Sequence, residues 1–361
     1  MSNPSTLPSG RYYTTMEYLL ARYDALARQM GFRATTLEEH AFWQHELRAR
    51  LRQVSGVDTM IMCPLEPSVE ERVELDGYVR ERVTIHTEPG VVMPFYVLIP
   101  ADLTSGERRP AVIAPHGHSS GGKFAPAGRR DIPALVETIE QHNYDYGVQF
   151  VRQGHIVFCP DARGFGERRE WPLQGGGEKL LSGSCEVLNH MAIPLGQTVT
   201  GMWAWDLMRL ADYVETRPEC DAQRLGCAGL SGGGLQTLWF AALDERVRCA
   251  VVSGYMYGYK DSLLKQCGNC SCNYVPHLWE IADMGDIAAL IAPRPLLVET
   301  GALDSLNGER GLANVTEQLA ITGQAYRLLG IPDRLAHDIF EGEHMWHGEC
   351  AVPWLDRWLA R

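Results

Sequence analysis

The segment that most restricts the fold is residues 224–243, where an apolar strand-like run, the sequence Gly-Leu-Ser-Gly-Gly and a helix-like run follow one another. A serine between such closely spaced glycines can be held in a strained turn, with the chain crowded so tightly that a Cβ at Gly229 or Gly233 would clash. The helix that follows directs its N-terminal N–H groups at developing negative charge. We therefore predict that Ser231 is a nucleophile. The alternative is a plain glycine-rich turn that binds phosphate, but the segment has neither a Lys nor G-x-G-x-x-G spacing.

Short apolar runs alternate with helical patterns over most of the chain, which is typical of buried parallel strands in βα units. A hairpin with a Pro89-Gly90 turn precedes them. We therefore predict an α/β fold with a mostly parallel central sheet flanked by helices. The runs are Ala111–Pro115, Ile156–Pro160, Leu225–Leu230, Ala250–Ser253, Leu296–Thr300 and Asp338–Phe340, and the helices are Thr198–Glu215, Gly233–Leu243, Asn307–Thr322 and Ala351–Leu359.

Residues 1–75 differ from the rest, because Thr14–Met30 and Thr36–Val54 both carry apolar residues at helical spacing. We predict a helical N-terminal extension there and a catalytic domain at 76–361. The extension either only packs on the main body or forms a homo-oligomer contact. Two long irregular inserts, 164–197 and 255–283, interrupt the alternation, and such segments often cover active sites.

A serine nucleophile needs a base and the base needs an orienting acid, in the chain order Ser, acid, His for this topology. His344 follows the last strand directly, and Gly342 permits the turn that presents it. His337 precedes that strand and His347 lies in or near the next helix, so both are weaker candidates for the base.

Asp304 is the candidate acid, since it lies in the loop after Pro295–Thr300, where the sites of α/β proteins are found. Glu299 lies inside that strand, and Asp338 is too near His344 along one strand, so these two carboxylates are the rivals.

The loop after the first parallel strand, Ala114–Gly122, is where a second oxyanion donor is expected. We predict that the backbone N–H groups of Gly232 and His118 bind the oxyanion. A metal pair of His116 and His118 is the alternative, but the sequence shows no convincing third ligand for it.

Five motifs, HGHSSGGK, DARGFGERR, GLSGGG, IAPRPLLVETGALD and FEGEHMW, occur in an order that resembles the α/β-hydrolase superfamily. The chain resembles its acetyl xylan esterase-like and dienelactone-hydrolase-like bacterial branch over about residues 36–361. The resemblance implies Ser231 as nucleophile, Asp304 as acid, His344 as base, and Gly232 and His118 as oxyanion donors. Dienelactone hydrolases have a Cys nucleophile, and acetyl xylan esterases often have Gln where this chain has Gly232.

The function that this implies is hydrolysis of a carboxylic ester through an acyl-enzyme, without a cofactor. The substrate is a small-molecule or carbohydrate ester with a short acyl group. The alternatives are a peptidase or C–C bond hydrolase with the same triad, and a non-catalytic binding protein of this fold.

Candidate substrate contacts are His116, Tyr255 and Trp346. Bulky rings in the two inserts could also line an acyl or sugar pocket, although each ring by itself fits ordinary packing. Asp161 and Arg163 could touch substrate, but we favour ion pairs that hold their loop.

Cysteines cluster in the second insert, where Cys267, Cys270 and Cys272 could bind zinc together with His277. Known structural sites pair two separated ligand groups, whereas here all four residues crowd one loop. We therefore expect no metal, and either free thiols or a redox-labile disulfide.

Charge and hydropathy limit the remaining partners. The 361 residues contain 33 Lys and Arg against 45 Asp and Glu, a net charge of −12, and no long basic run, so nucleic acid is not expected. No apolar stretch is long enough for a membrane span. We see no signal peptide at the start, and so expect a cytoplasmic protein with free thiols.

Overall fold

The computed structural model describes residues 10–173, 177–266 and 268–360, and a nine-stranded sheet lies at the centre of that part of the chain. The strand order is β1-β2-β3-β5-β4-β6-β7-β8-β9. Strands β1 to β3 pair antiparallel with one another and β3 pairs antiparallel with β5, whereas β4 to β9 are parallel. The strands are β1 Ser68–Leu75, β2 Tyr78–Glu88, β3 Val91–Pro100, β4 Arg109–Ile113, β5 Ile156–Pro160, β6 Cys220–Leu230, β7 Val247–Ser253, β8 Leu296–Gly301 and β9 Leu335–Phe340.

Helices cover both faces of the sheet, so the buried residues form two cores. In β4, Ile113 lies in the core with α2, α7, α8, α10 and α11, whereas its neighbour Val112 lies in the core with α3, α4 and α12. This alternation is the two-residue period of a strand. The helices are α1 Thr15–Leu26, α2 Leu37–Ser55, α3 Pro133–His142, α4 Tyr146–Arg152, α5 Gly177–Leu180, α6 Cys185–Ala192, α7 Val199–Thr216, α8 Gly232–Leu243, α9 Leu278–Ile281, α10 Met284–Ala289, α11 Leu312–Leu328 and α12 Ala351–Leu359.

The predicted parallel sheet and its flanking helices are confirmed, and each apolar run predicted as a strand overlaps one of β4 to β9. Strand β1 was not predicted, because this edge strand is mostly exposed and four of its eight residues are charged. Helices α3 and α4 also escaped prediction, and α11 begins at Leu312 rather than at Asn307.

The N-terminal extension packs on helices α7 and α8 through α2. Leu47 and Leu51 of α2 are fully buried in the core that contains these two helices. Helix α2 begins with a capping box between Thr36 and Glu39. Strand β1 (Ser68–Leu75) lies inside the segment 1–75 that we predicted to be helical. A boundary after residue 75 therefore does not separate helices from strands. An oligomer contact through these helices stays a prediction.

The carboxyl ends of the parallel strands meet at one edge of the sheet, which is where ligands bind in such folds. His118 follows β4, Ser231 follows β6, Asp304 follows β8 and His344 follows β9. The inserts 164–197 and 255–283 follow β5 and β7 at the same edge, and both contain short helical segments rather than irregular chain alone. No helix among the described residues is both long and apolar enough to cross a membrane.

Candidate active site

Ser231 occupies a strained turn between β6 and α8. Its φ is 61° and its ψ is −119°, in a region that residues with a Cβ rarely adopt. A Cβ added at Gly229 would lie 2.7 Å from the backbone carbonyl of Gly233, and one added at Gly233 would lie 2.2 Å from the carbonyl oxygen of Pro115. Only glycine fits at either position, which is the steric requirement that the sequence predicted.

The loop after β4 runs alongside this turn and is held there by side chains from α4, from α8 and from the loop between α3 and α4. The Tyr146 hydroxyl donates to the Pro115 carbonyl (2.6 Å), the Gln236 amide to the His116 carbonyl (2.9 Å) and the Tyr144 hydroxyl to the His118 carbonyl (2.9 Å). These bonds fix the backbone of the loop beside the first turn of α8. The N–H groups of that turn have no acceptor within the helix.

His344 and Asp304 are hydrogen-bonded to each other, with 2.6 Å between His344 Nδ1 and Asp304 Oδ2. The Asp304 side chain is 2% exposed, and its other oxygen accepts from the N–H of Leu306 (2.9 Å). The His344 carbonyl oxygen lies 2.9 Å from His142 Nδ1, which anchors the loop that carries the imidazole. Gly342 does not have a positive φ; instead, a Cβ there would lie 2.7 Å from the Phe340 ring.

The structure also places His344 close to the serine turn. The Ser231 N–H donates to the Ser253 carbonyl (2.9 Å), and a Cβ added at the next residue, Gly254, would lie 2.9 Å from His344 Cε1. The imidazole therefore lies over the backbone at the end of β7, next to the strand that leads into Ser231.

The rival bases and acids are engaged elsewhere. His337 Nε2 lies 3.0 Å from Thr300 Oγ1, and His347 Nδ1 lies 2.7 Å from Asp338 Oδ2. Burial lowers the pKa of His337 to about 4. Glu299 is fully buried and accepts from the Gly348 N–H (3.0 Å).

None of the three proposed substrate contacts presents a free side chain to a ligand. Both ring nitrogens of His116 contact backbone, since Nδ1 lies 2.8 Å from the Gly117 oxygen and Nε2 accepts from the Ala162 N–H (3.1 Å). Burial lowers its pKa to about 4, so the imidazole is neutral. The Tyr255 hydroxyl is buried and donates to Asn273 Oδ1 (2.7 Å). Trp346 is fully buried, with its ring against Tyr146.

The rings of the second insert mainly pack on one another and on the N-terminal extension. Tyr259 stacks on Trp279, and Tyr23 of α1 meets Trp279 edge-on. In the first insert Trp171 is 81% exposed. The rings of the second insert therefore show ordinary packing, which was the alternative to an acyl or sugar pocket in the sequence analysis.

Arg163 and Asp161 hold loops, as we favoured from the sequence. Arg163 donates to Asp206 and to Glu88, and Asp161 pairs with the buried Lys123 (2.6 Å). Burial alone would raise the pKa of Asp206, but Arg163 and Arg168 lower it to about 2. Asp206 therefore stays ionised, because two guanidinium groups face its carboxylate.

The side chain of His118 lies in a cluster that sequence reasoning missed. Its ring nitrogen and the sulfur atoms of Cys185, Cys270 and Cys272 all lie within 4.8 Å of one another. His277, the ligand weighed from the sequence, is exposed and faces Glu280 instead, and Cys267 lies outside the described residues. Cys185 comes from the other insert, so local spacing along the chain gave no signal for it.

Comparison with known proteins places this chain in a family. Residues 5–338 match the sequence profile of the Abhydrolase family, and the chain belongs to that family. It is 30% identical over 261 residues to the hydrolase candidate YtaP of Bacillus subtilis strain 168. The matched segment covers 69% of this chain and 79% of YtaP.

Two solved structures show the same fold. A candidate acetyl xylan esterase from Bacteroides fragilis superposes with a TM-score of 0.79 at 20% identity, over 98% of this chain and 96% of the other. A glucuronoyl esterase from Solibacter usitatus superposes with a TM-score of 0.64 at 16% identity, over 98% and 99%. The predicted α/β-hydrolase fold is thereby confirmed.

The buried Glu299 makes the stability of the protein depend on pH. Burial raises its pKa to about 7, so the folded state binds the proton more tightly than the unfolded state. The stabilisation by the protonated carboxyl is complete below the unfolded pKa of about 4.3 and is lost as the pH rises through about 7, a change on the order of 3 kcal/mol.

We predict that Glu299→Gln, compared with wild type, raises the free energy of unfolding more at pH 8 than at pH 5. Urea titrations at both values measure this, with the exposed Glu341→Gln as the matched control. An equal effect of Glu299→Gln at both values would show that this carboxyl does not change its protonation on folding.

Proposed function

We propose that this protein is a serine hydrolase that cleaves a carboxylic ester with a short acyl group, on a small molecule or an acetylated carbohydrate. The observation that supports it most is the strained Ser231 turn at the same sheet edge as the hydrogen-bonded pair of Asp304 and His344. Similarity to proteins named as esterases adds support at the level of the fold.

In this proposal Ser231 Oγ attacks the ester carbonyl carbon while His344 Nε2 takes the hydroxyl proton. Asp304 accepts from Nδ1–H, which fixes the tautomer that leaves Nε2 free as a base and stabilises the imidazolium that forms. The C–O bond to the alcohol then breaks as His344 returns the proton to the leaving oxygen. Water, activated by the same imidazole, hydrolyses the acyl-enzyme.

The negative charge on the carbonyl oxygen needs donors that are already in place. We propose the N–H groups of Gly232, in the first turn of α8, and of His118 in the neighbouring loop. That loop comes so close to the serine that a Cβ added at Gly117 would lie 3.1 Å from Ser231 Cβ. The reaction proposed here needs no cofactor, because the chain supplies nucleophile, base and donors.

The triad assignment predicts a steep ranking of variants. Ser231→Ala should lower kcat/KM for p-nitrophenyl acetate by up to ~10⁶-fold, since triad members act as a unit. Asp304→Asn should cost ~10⁴-fold, because the wrong histidine tautomer is then favoured. Glu299→Gln removes the rival carboxylate at the same sheet edge and should stay within a few-fold of wild type.

Steady-state kinetics, with circular dichroism spectra to confirm folding, measure this ranking. A folded Ser231→Ala variant that keeps more than a few per cent of activity would exclude Ser231 as nucleophile. A large loss of activity in Glu299→Gln, with normal activity in Asp304→Asn, would show that Glu299 rather than Asp304 is the acid of the triad. If acyl p-nitroanilides turn over faster than the matching esters, the protein is an amidase or peptidase on the same triad.

Both inserts approach the proposed oxyanion site, and this predicts selection for small acyl groups. Cys185 of the first insert and Cys272 of the second lie 3.6 and 3.5 Å from the ring nitrogen of His118, whose other nitrogen borders Gly232. Because both inserts pack this closely around the proposed oxyanion site, a long acyl chain could bind only by displacing packed side chains. A p-nitrophenyl ester series should therefore show kcat/KM falling from acetyl to butyryl to octanoyl, by ~10–200-fold per methylene that the pocket excludes. A maximum at octanoyl would instead show that the inserts form an open groove.

A further inference from the structure

Four metal-ligating side chains converge beside the serine turn, and together they have the composition of a zinc site. His118 comes from the loop after β4, Cys185 from the first insert, and Cys270 and Cys272 from the second insert. Cys185 and Cys272 are buried, whereas Cys270 and His118 are partly buried. Three thiols and an imidazole form a recognised ligand set of structural zinc sites. Soft thiolate ligands also favour zinc over magnesium or calcium.

The distances from His118 Nε2 to two of the thiols match the edge of a tetrahedral zinc site. With Zn–S near 2.3 Å and Zn–N near 2.0 Å, tetrahedral ligation separates sulfur from nitrogen by ~3.5 Å and two sulfurs by ~3.8 Å. His118 Nε2 lies 3.6 Å from Cys185 Sγ and 3.5 Å from Cys272 Sγ. The sulfurs of Cys185 and Cys270 are 3.0 Å apart, longer than a disulfide bond and shorter than the tetrahedral edge. A small rotation of either side chain would open that gap.

The surroundings of the cluster hold these ligands in place. The His118 ring lies edge-on to Phe165 (5.2 Å between centroids) and also meets Trp203. The Asn273 amide lies 3.6 Å from Cys272 Sγ, within reach of a thiolate, and the Tyr255 hydroxyl donates to the same amide's oxygen. Supporting bonds of this kind usually orient the ligands of a metal.

We propose that His118, Cys185, Cys270 and Cys272 bind one structural zinc ion that joins both inserts to the loop after β4. The four ligands fill a tetrahedral shell and leave no open position, as in structural rather than catalytic sites. This reverses our expectation from the sequence, which weighed the His116–His118 pair and the ligands of the second insert separately and expected no metal.

The site has a consequence for the neighbouring serine turn. A Cβ added at Gly232 would lie 2.8 Å from His118 Nδ1, so the imidazole borders the proposed oxyanion donor. Zinc on Nε2 fixes the neutral tautomer with its proton on Nδ1, facing Gly232. The ion would therefore fix the ring and backbone of His118 in the position that the structure shows, and His118 acts as a positioning residue through its side chain.

Metal analysis of the full chain tests the proposal directly. Protein made without an affinity tag, from zinc-supplemented medium, should contain about one zinc per chain. Cys185→Ser and Cys272→Ser should each lose at least about ten-fold in zinc affinity. The matched control is Cys220→Ser, which removes a buried thiol at the opposite edge of the sheet and should keep the metal. Loss of zinc should also lower Tm by about 5–10 °C, because the ion binds only the folded site.

Cobalt exchange into the wild-type chain covers the case in which the variants do not fold. Tetrahedral Co²⁺ with thiolate ligands should give sulfur-to-cobalt charge-transfer bands that Cys220→Ser keeps. Wild-type protein without zinc and without these bands, or a Cys185–Cys270 disulfide found by peptide mapping, would overturn the proposal. These readouts do not involve ester hydrolysis, so they stand whether or not the proposed activity is found.

Discussion

The close contact between the Ser231 turn and the loop after β4 is the constraint on which the rest of the site depends. Gly233 lies so near the Pro115 carbonyl that no Cβ fits between them. The Tyr146 hydroxyl, which belongs to the core on the other face of the sheet from α8, donates a hydrogen bond to the same carbonyl. The turn keeps its positive φ only because β6, α8 and this loop are packed around it. The surrounding parallel strands then bring His118, Asp304 and His344 to the same edge.

The sequence predicted the parallel part of the fold well, because buried strands between helices read as short apolar runs. It did not predict β1, since the edge strand Ser68–Leu75 is mostly exposed and half of its residues are charged. For the candidate site, position relative to the strand ends was enough to single out Asp304 and His344, and the structure shows them hydrogen-bonded to each other. Their catalytic roles remain our proposal.

Other parts of the site could not be predicted, because they depend on contacts between segments far apart in the chain. His116 and Trp346 have types common in binding sites, but the fold buries both and engages them with the protein itself. The thiol cluster combines ligands from both inserts, and Cys185 and Cys270 are 85 positions apart in the chain, so no local spacing rule could pair them. Inserts of this kind carry the properties that separate members of one fold family.

Covalent labelling tests most directly whether Ser231 is the activated nucleophile. A fluorophosphonate probe reacts with a serine hydroxyl whose proton is taken by a neighbouring base and whose site binds a tetrahedral oxyanion. We expect a single adduct on the peptide that contains Ser231, formed far more slowly when His344 is replaced by Ala. No adduct, or an adduct on another residue at the same rate in both proteins, would contradict this expectation.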